Sequence, residues 1–435
     1  MGVFSLPPKF VDSFRRCPRF AHICGEPAVA GACQTGSVTT APALANGGGA
    51  DSPRLGGKLA ALSLGQVISW GILYYALIVA SPAIADDTGW PLEWVTLSFS
   101  LGLIVSGGAG VFVGRWLDNH GPRLIMTAGS VLAPIGLVVV ALAPDLAVFT
   151  AGWLLVGVAQ SAVLYQAAFT VIARRYGPRR RTAMTILTLA GGLASTVFAP
   201  TVAWLLGVTD WRHTFLLLAA FLAVTTIPLH AFTLERRWPA PVAAERGPAQ
   251  QVGTVIRTRR FWMLVVSMFF LAAALFSVTL ALIPLYVEKG LSFELAAWAL
   301  GLLGAGQVIG RLLYMVIPQT AAPWVPLAMT AGLSVVMLAL LAWVPGPPWL
   351  LIVLGVIIGA VRGAQTLVQG AAVADRWGTA NYGAINGVFA APITAIGALA
   401  PTLGPLLATA TGSYGAMAVL AVGLALIALV TARFS

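Results

Sequence analysis

The sequence predicts an all-α membrane protein with twelve transmembrane helices in two six-helix pseudo-repeats, and three observations carry that prediction. The 435 residues are 59% hydrophobic and only 9% charged, whereas a soluble domain carries about a quarter charged residues. The apolar residues come in blocks of roughly 20, the length at which a helix crosses a hydrocarbon core of about 30 Å. The polar segments between these blocks alternate in charge, and one long segment splits the blocks into six and six. Helices are the expected form because lipid offers no partner to a bare N–H or C=O. The period-two pattern of a barrel strand is absent.

Residues 1–56 stand apart. They hold Lys9, Arg15, Arg16 and Arg19, then a stretch rich in Ala, Gly, Ser and Thr, with no apolar run long enough for a signal peptide. They read either as a disordered cytoplasmic tail or as an upstream start-codon extension. All three cysteines (Cys17, Cys24 and Cys33) lie here. An odd number at irregular spacing suits neither a disulfide framework nor a zinc site, so they read as reduced, incidental thiols. The N-terminal half, 57–234, holds spans near 58–84, 92–113, 124–143, 147–172, 182–206 and 213–234. A polar central loop covers 235–260. The C-terminal half, 261–435, holds spans near 261–286, 294–317, 324–344, 349–374, 384–408 and 413–432.

Most of the 25 Lys and Arg residues lie in the tail, in the turns near 115–123, 174–181 and 376, and in the central loop. The opposite loops hold Arg212 and Lys289 against seven acids: Asp86, Asp87, Glu93, Asp145, Asp210, Glu288 and Glu294. The positive-inside rule therefore puts both termini and the central loop in the cytoplasm, and an even number of spans is required. The expected location is the plasma, or bacterial inner, membrane. A net charge of +11 spread over loops in this way does not point to nucleic acid.

The stretch GAGVFVGRWLDNHGPR (108–123) joins spans 2 and 3. Within it, Gly114 and Gly121 suit close helix approach and a tight turn. Asp118 at the membrane edge can pair with arginine or with a helix N-terminus. GAGVFVGR (108–115) recurs as GAGQVIGR (304–311), ARRYG (173–177) as ADRWG (374–378), and APT at 199–201 as APT at 400–402. Three matches in the same order indicate an ancestral duplication. The 108–123 stretch resembles the signature loop between helices 2 and 3 of the major facilitator superfamily (MFS) of transporters, and the resemblance covers about residues 57–433. It implies the MFS fold, two parallel six-helix halves around a central site. It also implies that Gly114, Arg115, Asp118, Gly121 and Arg123 form a cytoplasmic gate, with Arg175 from the 174–181 loop among the partners. In the second copy Tyr314 stands where Asp118 stands in the first, so no symmetric second latch is expected.

Arg362 lies a dozen residues from either end of its span. An arginine at that depth costs at least about 2.5–3.5 kcal/mol on insertion scales, so it must face protein or water. Gln365, Thr366 and Gln369 follow at i+3, i+4 and i+7 on one face. Two readings stand: a packing device paired with carbonyls or glutamines, or an anchor whose planar fork matches a carboxylate. Arg311, four residues after Gln307, also has two readings. Through the internal repeat it equals Arg115, an edge residue; matched to carboxylate transporters of the superfamily it would be a substrate ligand. Gln66, Trp70 and Tyr74 form a stripe on helix 1, Gln160, Tyr165 and Gln166 lie in helix 4, and Asn386 lies early in helix 11. As a set they suit a wet central cavity.

No Asp or Glu lies in the middle of a span, and His230 sits near a cytoplasmic end. That argues for exchange, facilitated diffusion or a proton carried with the substrate rather than a fixed proton relay. There is no Walker loop, metal cluster or catalytic triad, so neither an enzyme nor a cofactor is expected. The segments 173–200 and DWRHTF (210–215) resemble the monocarboxylate and oxalate–formate branch of the superfamily. The expected function is secondary active or facilitative transport, by alternating access, of a small organic anion such as a monocarboxylate. The expected substrate-binding residues are Arg362, Gln365, Gln369, Gln66, Tyr74, Gln160, Gln166 and Arg311, in a lipid-embedded monomer. An efflux pump for drugs or metalloid anions, and a transport-inactive receptor or scaffold, are the alternatives.

Overall fold

Five helices open on a side chain that takes up an otherwise orphaned backbone N–H. Asp145 accepts from Val148 N, Asp210 from His213 N, Thr258 from Phe261 N, Ser292 from Leu295 N and Ser413 from Ala416 N. The His213 backbone N–H, with its imidazole, holds the exposed Asp210 carboxyl below the usual range. Pro122 and Pro348 open two further helices, where the missing N–H costs nothing. Gly121, at φ +85°, turns the chain from one span directly into the next.

The computed structural model describes residues 52–238, 251–318 and 320–435. Residues 1–51 of the tail expected over 1–56, and residues 239–250 of the expected central loop, lie outside the described residues; residues 52–56 already belong to the first helix. Among the described residues, twelve helices are long and apolar enough to cross a membrane. In the first half they are α1 Gly56–Thr88, α2 Leu92–His120, α3 Pro122–Ala141, α4 Leu146–Arg175, α5 Gly177–Val208 and α6 Trp211–Thr233. In the second half they are α7 Arg259–Leu280, α8 Phe293–Tyr314, α9 Val325–Trp343, α10 Pro348–Trp377, α11 Tyr382–Ala400 and α12 Tyr414–Ala432. The seventh apolar run, expected as one span over 261–286, divides at Ala281 into α7 and a short helix, Leu282–Glu288. Pro284 is the reason: it has no N–H to return and its ring crowds the carbonyl four residues back.

Packing repeats between the halves. In the first half α2 lies on α4, α3 on α4 and α6, and α1 on α5; in the second α8 lies on α10, α9 on α10 and α12, and α7 on α11. The seam from α2 to α11 joins the halves. Small residues permit it: a Cβ on Gly114 would lie 2.0 Å from the Gly383 carbonyl oxygen. Gly310, its equivalent in the second repeat, faces α10 instead, where a Cβ would lie 1.7 Å from the Ala360 carbonyl oxygen. One motif thus closes a seam between halves in its first copy and a seam within a half in its second.

Three helices are interrupted within the membrane. In α1 a π-turn runs over Gly71–Tyr75, a form that concentrates at functional sites. In α4, Leu164 takes an extended conformation between the segments Leu146–Val163 and Tyr165–Arg175. In α5, Leu193 separates Arg180–Gly192 from Ala194–Val208. All three interruptions border one cavity.

Candidate functional site

A cavity of about 290 Å³ lies between the halves and is lined from both. On the first-half side, Trp70, just before the π-turn of α1, and Tyr74, within it, form an aromatic wall that continues through Tyr165. The Trp70 ring is 5.2 Å from Tyr74 and 4.9 Å from Tyr165. Gln160 and Gln166 flank the α4 interruption and reach the cavity. Gln160 donates from Nε2 to the Leu73 carbonyl inside the π-turn at 2.8 Å. Gln66 does the reciprocal work, donating to the Val163 carbonyl beside the α4 interruption at 2.7 Å. Two amides therefore staple two irregular backbones together, and Gln66 is fully buried, outside the cavity lining.

The second half supplies the charge. Arg362 on α10 and Arg311 on α8 both line the cavity, and among the described lining residues there is no Asp, Glu, His or Lys. Arg362 donates from Nη1 to the Thr279 hydroxyl of α7, and its guanidinium lies 4.3 Å from the centre of the Phe276 ring. Thr366 and Gln369, at i+4 and i+7, share its wall. Gln365, at i+3, turns to the other side and leaves the cavity, with its Nε2 3.9 Å from the Met268 sulfur. Arg311 crosses to the first half and donates from Nη1 to the Thr188 carbonyl at 2.7 Å, one turn before the α5 interruption. Gly192 makes room for it, since a Cβ there would lie 2.5 Å from Nη1.

At the membrane edge, on the side bearing the basic loops, Asp118 at the end of α2 accepts from Gly383 N at 3.1 Å and Ala384 N at 2.7 Å. These are N–H groups of the first turn of α11, which a helix leaves unpaired. Arg174 on α4 completes the cluster, 3.2 Å from the Asp118 carboxylate and bonded also to the Ala380 carbonyl. Hydrogen bonds and ion pairs between the halves, among the described residues, are confined to this side and to the Arg311–Thr188 contact.

A family model described as Major Facilitator Superfamily matches residues 62–351. The chain belongs to this superfamily. Monocarboxylate transporter 11 of Homo sapiens is 28% identical over 291 residues, covering 66% of this chain and 59% of that protein. The match therefore spans less than two thirds of the relative's length. An MFS-type transporter of Gibberella moniliformis is 24% identical over 321 residues, 72% of this chain and 75% of that protein. Among solved structures, FucP of E. coli in the outward conformation superposes with a TM-score of 0.65 at 13% identity. The human organic anion transporter MFSD10 superposes at 0.63 and 18% identity. Each match covers 86% of this chain and 98% of the other. The family match and the apolar helices make the chain an integral membrane protein of this superfamily.

Within the superfamily fold, the residues singled out from sequence separate into groups. Arg362, Gln369, Tyr74, Gln160, Gln166 and Arg311 meet at the cavity, with Asn386 beside them. Gln66 and Gln365 do not. Arg311 is not an edge residue: because Gly310 faces α10, the next residue is rotated by about 100° toward the cavity. Its repeat partner Arg115 is exposed, and no hydrogen bond or ion pair ties it to Asp118. Arg123 instead donates to the Ala231 carbonyl. Arg175 pairs with Glu235 at 3.1 Å, and the Asp118 partner is its neighbour Arg174.

No symmetric copy of the first contact forms at Tyr314, but a second ion-pair cluster of different construction joins the halves on the same side. Asp375 at the end of α10 accepts from Arg180 at 2.6 Å and Arg181 at 2.9 Å, across the halves. Tyr314 packs beneath, its ring 5.7 Å from the Arg181 guanidinium. The signal was in the repeat: ARRYG set on ADRWG puts Asp375 opposite Arg174. Trp238, just after α6, docks on the first latch, donating to the Leu117 carbonyl and lying 4.7 Å from the Arg174 guanidinium.

Proposed function

We propose that the protein carries a small organic anion by alternating access, with Arg362 as the charge anchor. The observation that supports this most is a mid-membrane guanidinium, turned into the cavity, whose hydrogen bond goes to a neutral hydroxyl and not to a carboxylate. An arginine kept only for packing would be expected to have its charge compensated. Two relatives, monocarboxylate transporters 11 and 13, are named for anionic substrates, which supports this reading. In this reading Gln369, Tyr74, Gln160 and Gln166 shape the site. Asp118, Gly114 and Gly121 belong to a cytoplasmic gate, with Arg174 in the partner role first given to Arg175. Arg311 acts both as a ligand and as the floor of the cavity.

The basic side is the cytoplasmic one on this account, with both termini there, in the plasma membrane of a monomeric carrier. The closed latches on that side then make the structure an outward-facing state. Purified protein tests the anchor through ligand-induced stabilisation, because a ligand that binds only the folded state raises the apparent Tm. A carboxylate that raises the Tm of the wild type should leave Arg362→Ala unshifted. An equal shift in both proteins would remove Arg362 from the site. Stabilisation by uncharged or cationic compounds alone, unaffected by Arg362→Gln, would favour an efflux pump.

A further inference from the structure

We propose that the substrate carries two negative charges, a short dicarboxylate being the simplest form, and that Arg311 and Arg362 each hold one of them. The proposal rests on the anionic reading above and deepens it. Two guanidiniums face one cavity whose described lining includes no acid. In a low-dielectric site their repulsion and desolvation are relieved only by anions. A monocarboxylate would leave one of the two charges uncompensated, whereas a dianion neutralises both.

The two groups are also tied to different helices and left short of partners. Arg362 is fixed against α7 by Thr279 and Phe276. Arg311 reaches the opposite way, to α5 at Thr188 and Gly192. A guanidinium has five N–H donors, yet each of these is bonded through Nη1 to a neutral oxygen, and the buried Nε of Arg311 has no partner. On the facing wall the buried Trp70 Nε1 and Gln166 Nε2 are likewise unpartnered donors. Donors thus crowd both walls, while Gln160 Oε1 is an unpartnered acceptor. A cavity of about 290 Å³ sits at the small end of ligand sites, which suits a short diacid rather than a nucleotide or a drug-sized anion.

The test compares diacids with their own monoesters, which keep the shape and lose one charge. The full-length protein in proteoliposomes is offered oxalate, malonate, succinate and glutarate, each beside its monomethyl ester, with butyrate as a simple monoacid. Exchange and Tm shift are both read. The expected result is that at least one diacid half-saturates exchange at a concentration lower, on the order of tenfold, than its monoester. Arg311→Gln and Arg362→Gln should each erase that preference, while Arg→Lys at either position keeps part of it and shows that the fold survives.

If monoester and diacid exchange equally well in the wild type, and each Gln variant lowers both alike, the dianion proposal is overturned while the anionic reading stands. If no diacid of the panel is exchanged or raises the Tm more than its monoester, the proposal also falls. Transport confined to uncharged or cationic probes would overturn both readings.

Discussion

Gln66 and Gln160 each send an amide N–H to a main-chain carbonyl in an interrupted stretch of the other's helix. Yet Gln160 touches the cavity and Gln66 does not. Gln66→Leu leaves the Val163 carbonyl without that donor, at a cost of roughly 0.5–2 kcal/mol, typical of hydrogen bonds between membrane helices. The expected outcome is a lower Tm with unchanged substrate preference in an exchange assay; altered preference would place Gln66 in the site after all. Gln160→Leu is expected to change both. Arg115 and Arg311 make a similar pair, identical in the repeat and opposite in environment. Composition and depth along a span locate a polar residue, but not which neighbour its helix chooses. Gly114 chose α11 and Gly310 chose α10, and the arginine after each was carried accordingly, out to the edge or into the cavity.

Helices are held in the observed arrangement by two latches of unlike construction. In the first, an acid at the end of α2 caps α11; in the second, an acid at the end of α10 holds two arginines of α5. Both join the halves on the basic side, so breaking either should expose the cavity there. With a single cysteine in place of Thr366 in a cysteine-free background, Asp118→Asn and Asp375→Asn should each speed labelling by a membrane-impermeant thiol reagent from that side. Labelling no faster than in the unmutated background would deny the latches this role. Exchanging the charges, Asp375→Arg with Arg181→Asp, should restore slow labelling, whereas Asp375→Arg alone should not. Gly114→Val, with a backbone oxygen 2.0 Å from its first side-chain carbon, is expected to act in the same direction as Asp118→Asn. Asp118 of the first stood out because its motif is local and specific, although its partner is Arg174 and not Arg175. The second was hidden because its acid had moved to another helix, where only the repeat alignment of 173–177 with 374–378 reveals it. The three helix interruptions had no such signal: Leu164 and Leu193 are ordinary residues for a span, and tertiary packing sets the break.

Taken as a molecule, the protein is two six-helix halves closed on one side over a cavity that carries two positive charges and, among its described residues, no acid or histidine. An empty cavity of that charge should reorient slowly, because no counter-charge accompanies it through a low-dielectric barrier. Exchange of anion for anion is therefore expected to outpace net uptake into anion-free vesicles; equal rates would argue against this electrostatic account. Among its described residues the lining has no carboxylate or imidazole, so the affinity for a fully ionised substrate should vary little between about pH 7 and 8. The number of helices and their division into two halves could be read directly from the chain. So could the depth of Arg362, which a charge reaches only where it faces protein or water, as it does here in the cavity. The central claim, that Arg362 anchors the transported anion, is tested most directly by anion exchange in proteoliposomes of wild type and Arg362→Ala, matched for folded protein. The account predicts loss of exchange by on the order of a hundredfold, the range seen when a charged partner is removed from a buried site. Wild-type exchange of the same anion by Arg362→Ala would contradict it.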